Sequence, residues 1–304
     1  MNCFDVVGFG ALNVDKLFKV DRICAAEEES FIEDHSESCG GSAANTIVGL
    51  ARLGCRAGFI GKIGDDEEGT LLLEDFRREG VDVTGVVHAK QRESGQVMGF
   101  VDEKGERALY IDSGANDTIF QRDINKAYVL KAKFLHFTSF VGDQSFQTQK
   151  KFLKTLPEDV RVSFDPGALY ARKGFNALEP IIERSFVVMP NAIELRQLTG
   201  EADYHSGADF LIGKGVKIVA VKLGAEGCYI TDGQCQHLVA AFKVKAVDTT
   251  GAGDAFCAGF LYGLLKQKRL FDCGRLGNFV ASRCVMKLGA RAGLPYFRDL
   301  AFLG

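Results

Sequence analysis

The sequence predicts an α/β fold: an open, mainly parallel sheet flanked by helices, with a small β-sheet lid beside it. Three observations lead there. Short apolar runs alternate with amphipathic helical patterns along the 304 residues, the order that builds strand–helix–strand units and a parallel sheet. Two polar, strand-like segments interrupt that alternation and carry no helices of their own. Glycine is abundant at 35 residues and proline scarce at 5, which suits many tight strand–helix connections.

Taken in order, Phe4–Phe9 reads as a buried strand and Leu17–Glu37 as the first excursion. Ser42–Leu53 is expected to be a helix, with Ile47, Val48, Leu50, Ala51 and Leu53 apolar and Gly54 closing it. Ala57–Ile60 is the next strand. A helix over Glu67–Glu79 should turn Leu71, Leu72 and Phe76 inward and end at Gly80. Gln96–Asp112 carries a hairpin signal: VMGFV, a turn at Asp102-Glu103-Lys104-Gly105, then RALYI. Further strands are expected at Phe134–Phe137, Val160–Phe164, Phe186–Val188 and Lys217–Val221, with helices at Gln144–Thr155 and Ala192–Thr199. An apolar strand at Lys243–Val247 then runs into a glycine-rich loop, followed by helices at Asp254–Lys266 and Cys273–Leu288. No internal repeat or linker divides the chain. We expect one domain over 1–304, with lid segments at about 14–38 and 94–114.

The net charge of −3, from 37 Lys+Arg against 40 Asp+Glu, comes with no basic tract, so nucleic acid is not an expected partner. Phosphates remain possible ligands, because backbone dipoles at a helix start outweigh net charge. The nine cysteines form no C-x-x-C pair, and Cys55, Cys257 and Cys284 lie in apolar runs. They read as reduced core residues of a cytoplasmic protein. The five histidines lack zinc-ligand spacing. The chain starts on a strand-like run without a signal-peptide pattern, and no apolar run nears the roughly 18 residues of a membrane span.

The strongest chemical signal is 248-DTTGAGDAF-256. A loop holding Gly251 and Gly253 at a helix start aims backbone N–H groups and the helix dipole at one point, which stabilises a phosphate. Asp254, in the first turn, either takes a proton from an attacking hydroxyl or only charges the helix start. In 40-GGSAAN-45, Gly40 and Gly41 allow close approach to the backbone and Asn45 offers a donor and an acceptor to a polyol; the plain alternative is a turn with Ser42 as N-cap. The stretch 8-GFGALNVD-15 begins as G-x-G, but Asn13 stands where a third glycine belongs, which excludes a dinucleotide fingerprint. Asn13 and Asp15 are instead expected at a strand's carboxyl end, where Asp15 can accept from two sugar hydroxyls or form an Asx turn. In 190-PNAIE-194, Asn191 and Glu194 fit a capping box or the ordering of hydrated Mg²⁺. Lys222 and Gly224, in 222-KLGAEG-227, and Asn278 can border a nucleotide.

In this order the segments resemble the ribokinase-like (PfkB) family of carbohydrate kinases over nearly the whole chain. GGSAAN, 64-GDDEEG-69, PNAIE and above all DTTGAGDAF carry the resemblance. It implies a ribokinase-like fold and transfer of the terminal phosphoryl group of ATP to a sugar hydroxyl. Asp254 would be the base, and the amides of Gly251, Ala252 and Gly253 the anion hole. Asn13, Asp15, Gly40, Gly41 and Asn45 would hold the substrate; Asn191, Lys222, Gly224 and Asn278 would neighbour the nucleotide; Glu194 would order Mg²⁺ through water. Many relatives use a monovalent cation such as K⁺, for which the matching positions are Asp248, Thr250, Cys284, Lys287 and Gly289.

The chain also departs from the pattern. Ribokinases carry a ribose-contacting glutamate where 136-HFTSFVGD-143 places Ser139, and Lys222 stands where threonine is usual. A nucleoside kinase on the same scaffold is therefore the alternative, with Phe137 and Phe140 either flanking a base or packing in the core. A sugar-sensing protein without catalysis is a third reading. A phosphorylated sugar is less favoured, since Arg92 and Arg107 are the only evident lid cations. An exposed lid sheet suggests a homodimer through 17–37 and 96–112.

Overall fold

The computed structural model describes residues 3–103 and 106–303. Strand β1 (Phe4–Phe9) shows how the core is divided. Successive residues of a strand face opposite sides of the sheet. Val6 accordingly packs in one apolar cluster with Ile47, Phe59 and Phe134, while Val7 and Phe9 pack in the other with Leu135 and Phe137. With both faces covered, the central strands read as unbroken apolar runs.

The chain leaves β1 for a lid hairpin, β2 (Asn13–Val20) and β3 (Ile32–Gly40), then returns through α1 (Ser42–Arg52), β4 (Ala57–Gly64), α2 (Glu67–Arg78) and β5 (Asp82–Ala89). A second hairpin, β6 (Gly95–Val101) and β7 (Arg107–Asp112), completes the lid. After α3 (Lys126–Val129) come β8 (Ala132–Phe137), α4 (Asp143–Leu153), β9 (Arg161–Phe164), α5 (Gly167–Ala171) and α6 (Gly174–Ile182). Then follow β10 (Ser185–Val188), α7 (Ala192–Thr199), α8 (Tyr204–Gly213), β11 (Ile218–Lys222), β12 (Cys228–Thr231) and β13 (Gln236–Val239). The chain closes through α9 (Ala252–Leu265) and α10 (Leu270–Cys284).

The large sheet has the order β13-β12-β11-β10-β9-β8-β1-β4-β5 and the small one β3-β2-β6-β7. Neighbours from β5 to β11 are parallel, whereas β12 runs against both β11 and β13. This is the expected mainly parallel sheet with a small second sheet. The order reverses at β1, between β8 and β4, and such a switch point leaves a crevice outside the carboxyl ends of the strands. Among the described residues no helix is long and apolar enough to cross a membrane.

Several expectations are corrected. Residues 243–247 form no strand; the segment is irregular and largely exposed, and Val244 and Ala246 border the cavity described below. Asn13 and Asp15 lie at the start of lid strand β2, because β1 already ends at Phe9. On α2 the inward residues are Leu72, Leu73 and Phe76, while Leu71 is 37% exposed. The last helix is shifted toward its N-terminus, so Lys287 and Gly289 lie in the loop beyond it. Ser42 is no N-cap: Gly41 holds that place at φ 104°, and α1 has no side-chain cap. Phe137 and Phe140 are both buried against Phe9, so neither flanks a ligand. In the lid turn, Lys104 and Gly105 lie outside the described residues, as does the side chain of Arg107.

Candidate active site

A cavity of about 730 Å³ opens at the carboxyl ends of β9, β10 and β11, against the start of α9. Five ionisable side chains line it: Asp165, Glu194, Lys222, Lys243 and Asp254. Asp165 follows β9, Lys222 closes β11, and Glu194 and Asp254 stand in the first turns of α7 and α9.

Helix α9 enters the cavity with its N-terminus open. Gly251 is its N-cap at φ 75°, a conformation glycine adopts without penalty. No side chain caps the helix, because Thr250 is turned to Asp248, its amide and hydroxyl donating to Asp248 Oδ1 at 2.9 and 2.7 Å. Among the described residues the amides of Gly253 and Asp254 make no hydrogen bond to the protein, whereas the Ala252 amide donates to the Thr249 carbonyl at 3.2 Å. Unsatisfied first-turn amides carry the positive end of the helix dipole.

Asp254 is held on both oxygens. Ser42 Oγ donates to Oδ1 at 2.6 Å and Asn45 Nδ2 to Oδ2 at 2.9 Å, both from the first turn of α1. Burial pushes the Asp254 carboxyl up to about 6 despite these donors, with Asp165 adding to the rise. It is therefore ionised at neutral pH yet close enough to neutrality to accept a proton, the condition for a general base.

The opposite wall carries a buried ion pair. Lys222 Nζ meets Asp165 Oδ2 at 2.6 Å, with the two side chains 13% and 6% exposed. Burial pulls the ammonium down, but the Asp165 carboxylate, together with Cys257 and Glu194, outweighs it and holds Lys222 above its usual value. A methyl placed on Gly253 would lie 3.3 Å from Lys222 Nζ, so the ammonium sits beside the open end of α9. Asp165 also accepts from Cys257 Sγ, at 3.3 Å. Asp165 was missed in the sequence; its signal is an acidic residue directly after the apolar strand that ends at Phe164.

Asn191 and Glu194 form a full capping box at the start of α7, each donating a backbone amide to the other's side chain at 2.8 Å. Both still line the cavity. Burial, then the nearby Asp165 charge, pushes the Glu194 carboxyl up. Among the described residues no cluster of three or more His, Cys, Asp or Glu side chains converges on a metal position. Glu194 fits a hydrated Mg²⁺, which keeps several waters and takes phosphate ligands alongside one or two carboxylates.

Gly224 and Asn278 border the same cavity, with Phe242, Val244, Ala246 and Val285 forming its apolar end. Asn278 Nδ2 ties α10 to the end of β13 through the Val239 and Ala240 carbonyls at 2.9 and 3.1 Å.

The other expected residues lie outside this cavity. Asn13 Oδ1 accepts from Asn116 Nδ2 at 2.9 Å. Burial raises Asp15 to about 6, with Arg291 pulling the other way. Gly40, Gly41 and Asn45 lie where the lid meets α1. Asp248 bridges two segments, since its Oδ2 accepts from the Gly289 amide at 2.8 Å. The carbonyls of Thr250 and Ala290 both approach Cys284 Sγ, at 3.6 and 3.3 Å. These carbonyls and the Asp248 carboxylate are hard oxygen donors that fit an alkali cation; Lys287 is exposed nearby. His136, buried behind Asp165 and lowered to about 4 by burial, bonds Ser163 at 3.0 Å.

The family model for pfkB family carbohydrate kinases matches residues 4–296. An uncharacterised sugar kinase of Archaeoglobus fulgidus is 49% identical, covering 82% of this chain and 98% of its own. An ATP-dependent ribose-1-phosphate kinase of Halopiger xanaduensis is 35% identical over 98% of this chain and 97% of its own. The crystal structure of a Thermotoga maritima ribokinase superposes with a TM-score of 0.89 at 28% identity, covering 99% of both chains.

Proposed function

The chain belongs to the PfkB family of carbohydrate kinases and is a phosphotransferase; on that premise we propose that it moves the terminal phosphoryl group of ATP to a sugar hydroxyl. The observation that carries this is the Asp254 carboxylate, gripped by Ser42 and Asn45 beside the uncapped start of α9. In the transfer the acceptor oxygen attacks the γ-phosphorus, its proton passes to Asp254, and the bond to the ADP oxygen breaks. The open amides of Gly253 and Asp254, joined by Gly251, stabilise charge developing on the transferred group. Lys222 neighbours the phosphates, and the apolar end with Gly224 and Asn278 takes the nucleoside. Mg²⁺, held by Glu194 through water, would neutralise phosphate charge, and K⁺ would sit among the oxygens around Asp248 and Thr250.

Asn13, Asp15, Gly40, Gly41 and Asn45 supply the acceptor side, under a lid formed by about 14–38 and 94–114 on one domain. The Halopiger relative favours a second reading, in which the acceptor is a pentose phosphate and not a free pentose. A coupled assay of ADP formation from ATP separates them. It compares D-ribose, ribose 1-phosphate and adenosine at equal concentration. Turnover of D-ribose alone supports the first reading, and turnover of ribose 1-phosphate alone the second. Turnover of adenosine alone rejects both in favour of a nucleoside kinase. We place the protein in the cytoplasm, in keeping with the buried thiols of Cys55, Cys228, Cys257, Cys273 and Cys284. The exposed lid residues Phe31, Ile32, Leu109, Tyr110 and Ile111 support a lid-mediated homodimer, which a monomer mass by light scattering at micromolar concentration would reject.

A further inference from the structure

Arg291 lies in the loop after α10, in a stretch, 289-GARAGLP-295, that carries no obvious chemical pattern. Its side chain is only 11% exposed, yet all its partners belong to the acceptor side of the site or support it. Nε donates to Asn45 Oδ1 at 2.7 Å, Nη2 to the Gly40 carbonyl at 3.3 Å, and Nη1 pairs with Asp75. Asp15 packs directly on Gly40 and feels the Arg291 charge. The backbone of Arg291 is anchored in turn. Arg52 Nη1 donates to the Arg291 and Leu294 carbonyls at 2.7 and 3.2 Å, while the rest of the Arg52 guanidinium grips Glu79 through two bonds.

We propose that Arg291 is a positioning residue that locks the Asn45 amide in one orientation throughout the phosphoryl transfer and shapes the acceptor floor at Gly40. The proposal rests on the reading of Asp254 as the base. The need for a lock follows from the chemistry of the amide. An Asn side chain has nearly the same shape with its oxygen and nitrogen exchanged, so its neighbours decide the orientation. While Asp254 is ionised it only accepts, and it selects Asn45 Nδ2 by itself. Once Asp254 has taken the acceptor's proton it carries an O–H donor, and a flipped Asn45 would present a matching carbonyl. Arg291 has no acceptor to offer and stays charged. A flipped Asn45 would set its NH₂ against the guanidinium. The amide therefore keeps Nδ2 toward Asp254 in both protonation states, ready for the next turnover.

The second contact acts on binding. The guanidinium holds the carbonyl of Gly40 just before the φ 104° turn at Gly41 that leads into α1. Loss of Arg291 should therefore weaken acceptor binding as well as turnover and leave the ATP end of the cavity unaffected.

The test is a double-mutant cycle of Arg291→Met and Asn45→Ala in the full-length chain. It uses ATP with whichever of D-ribose, ribose 1-phosphate and adenosine the wild type turns over fastest. Arg291→Met leaves Asp75 paired with Arg78, so no lone buried charge remains. Misplacement on the scale of an ångström costs about 100-fold, so kcat should fall by about 30- to 100-fold. The acceptor KM should rise several-fold and the ATP KM stay within about three-fold. The double variant should lose no more kcat than Asn45→Ala alone, within about three-fold, because Arg291 acts on turnover through Asn45. Arg291→Lys, which keeps the charge but not the fork, should rescue little. Losses in kcat that multiply, an ATP KM that rises in step, or near-normal kcat in Arg291→Met overturns the proposal. Asp254→Asn is assayed alongside. If it is inactive while Arg291→Met is normal, only the Arg291 role falls. If Asp254→Asn is active, or none of the three acceptors is phosphorylated by the wild type, the reading of the site falls and this role falls with it.

Discussion

Replacing Asp254 by Asn should abolish most turnover and stabilise the fold at the same time, and the pairing of these effects makes the prediction sharp. A positioned general base contributes about 10²- to 10⁴-fold, so kcat should fall by that factor. The stability effect follows from linkage. Burial raises the Asp254 carboxyl from 3.8 to about 6, so the folded state binds its proton more tightly than the unfolded state does. The ionised form is thus penalised on folding. The penalty is absent below about pH 4, grows as pH rises, and is complete above about pH 6, where roughly two pKa units correspond to about 3 kcal/mol. The amide introduced by Asp254→Asn is neutral at every pH and escapes it. The new amide can turn its NH₂ to Ser42 Oγ, which accepts as well as donates, so its carbonyl keeps the bond from Asn45 Nδ2. Asp254→Asn should therefore be about 3 kcal/mol more stable than wild type at pH 8 and about equally stable at pH 4. Urea unfolding at both pH values, with equal m-values, measures the difference, and the coupled assay measures turnover. Turnover within ten-fold of wild type, or a stability difference that does not change with pH, would refute the reasoning.

Two further substitutions probe the neighbouring structure. Gly251→Ala must hold alanine at φ 75° and set its methyl 2.5 Å from Ala290 Cβ and 2.7 Å from Ala290 Cα. Left-handed strain of about 1–2 kcal/mol and overpacking of about 1–3 kcal/mol predict a loss of about 2–5 kcal/mol, read as a lower urea midpoint; an unchanged midpoint would mean the loop is not pinned on Ala290. Lys222→Met strands the Asp165 carboxylate among apolar walls, an expected cost of about 3–5 kcal/mol. Adding Asp165→Asn should recover most of that stability while ATP binding, measured by calorimetry, stays weak; full ATP affinity in the double variant would show that Lys222 only lines the cleft.

How much was legible in the sequence depended on how local the signal was. The α/β class, most central strands and the helix start at Ser42 follow from periodicity, and the start at Ala192 from the Asn191 cap as well; both signals act over a few residues. The DTTGAGDAF loop was legible for the same reason, since a glycine turn running into a helix is a contiguous pattern. The antiparallel edge escaped. Strands β12 and β13 lie outside the strand–helix alternation that marks the parallel strands, and residues 243–247 have a strand's composition without a strand neighbour to pair with.

By itself, then, the sequence determined the class of fold, the glycine-rich helix start and the carboxylate that stands in its first turn. Tertiary structure alone decided what surrounds that carboxylate. Ser42 and Asn45 reach it from 212 and 209 residues away, and Arg291 reaches Asn45 across 246. It also paired Lys222 with Asp165, 57 residues apart. Such contacts leave no local pattern, because the sheet order, and not the chain order, brings these side chains together. The physical difference is burial: a first-turn Asp in water is only a helix charge, whereas Asp254 is enclosed by its neighbours and raised to about 6, which supports the proposed role as base.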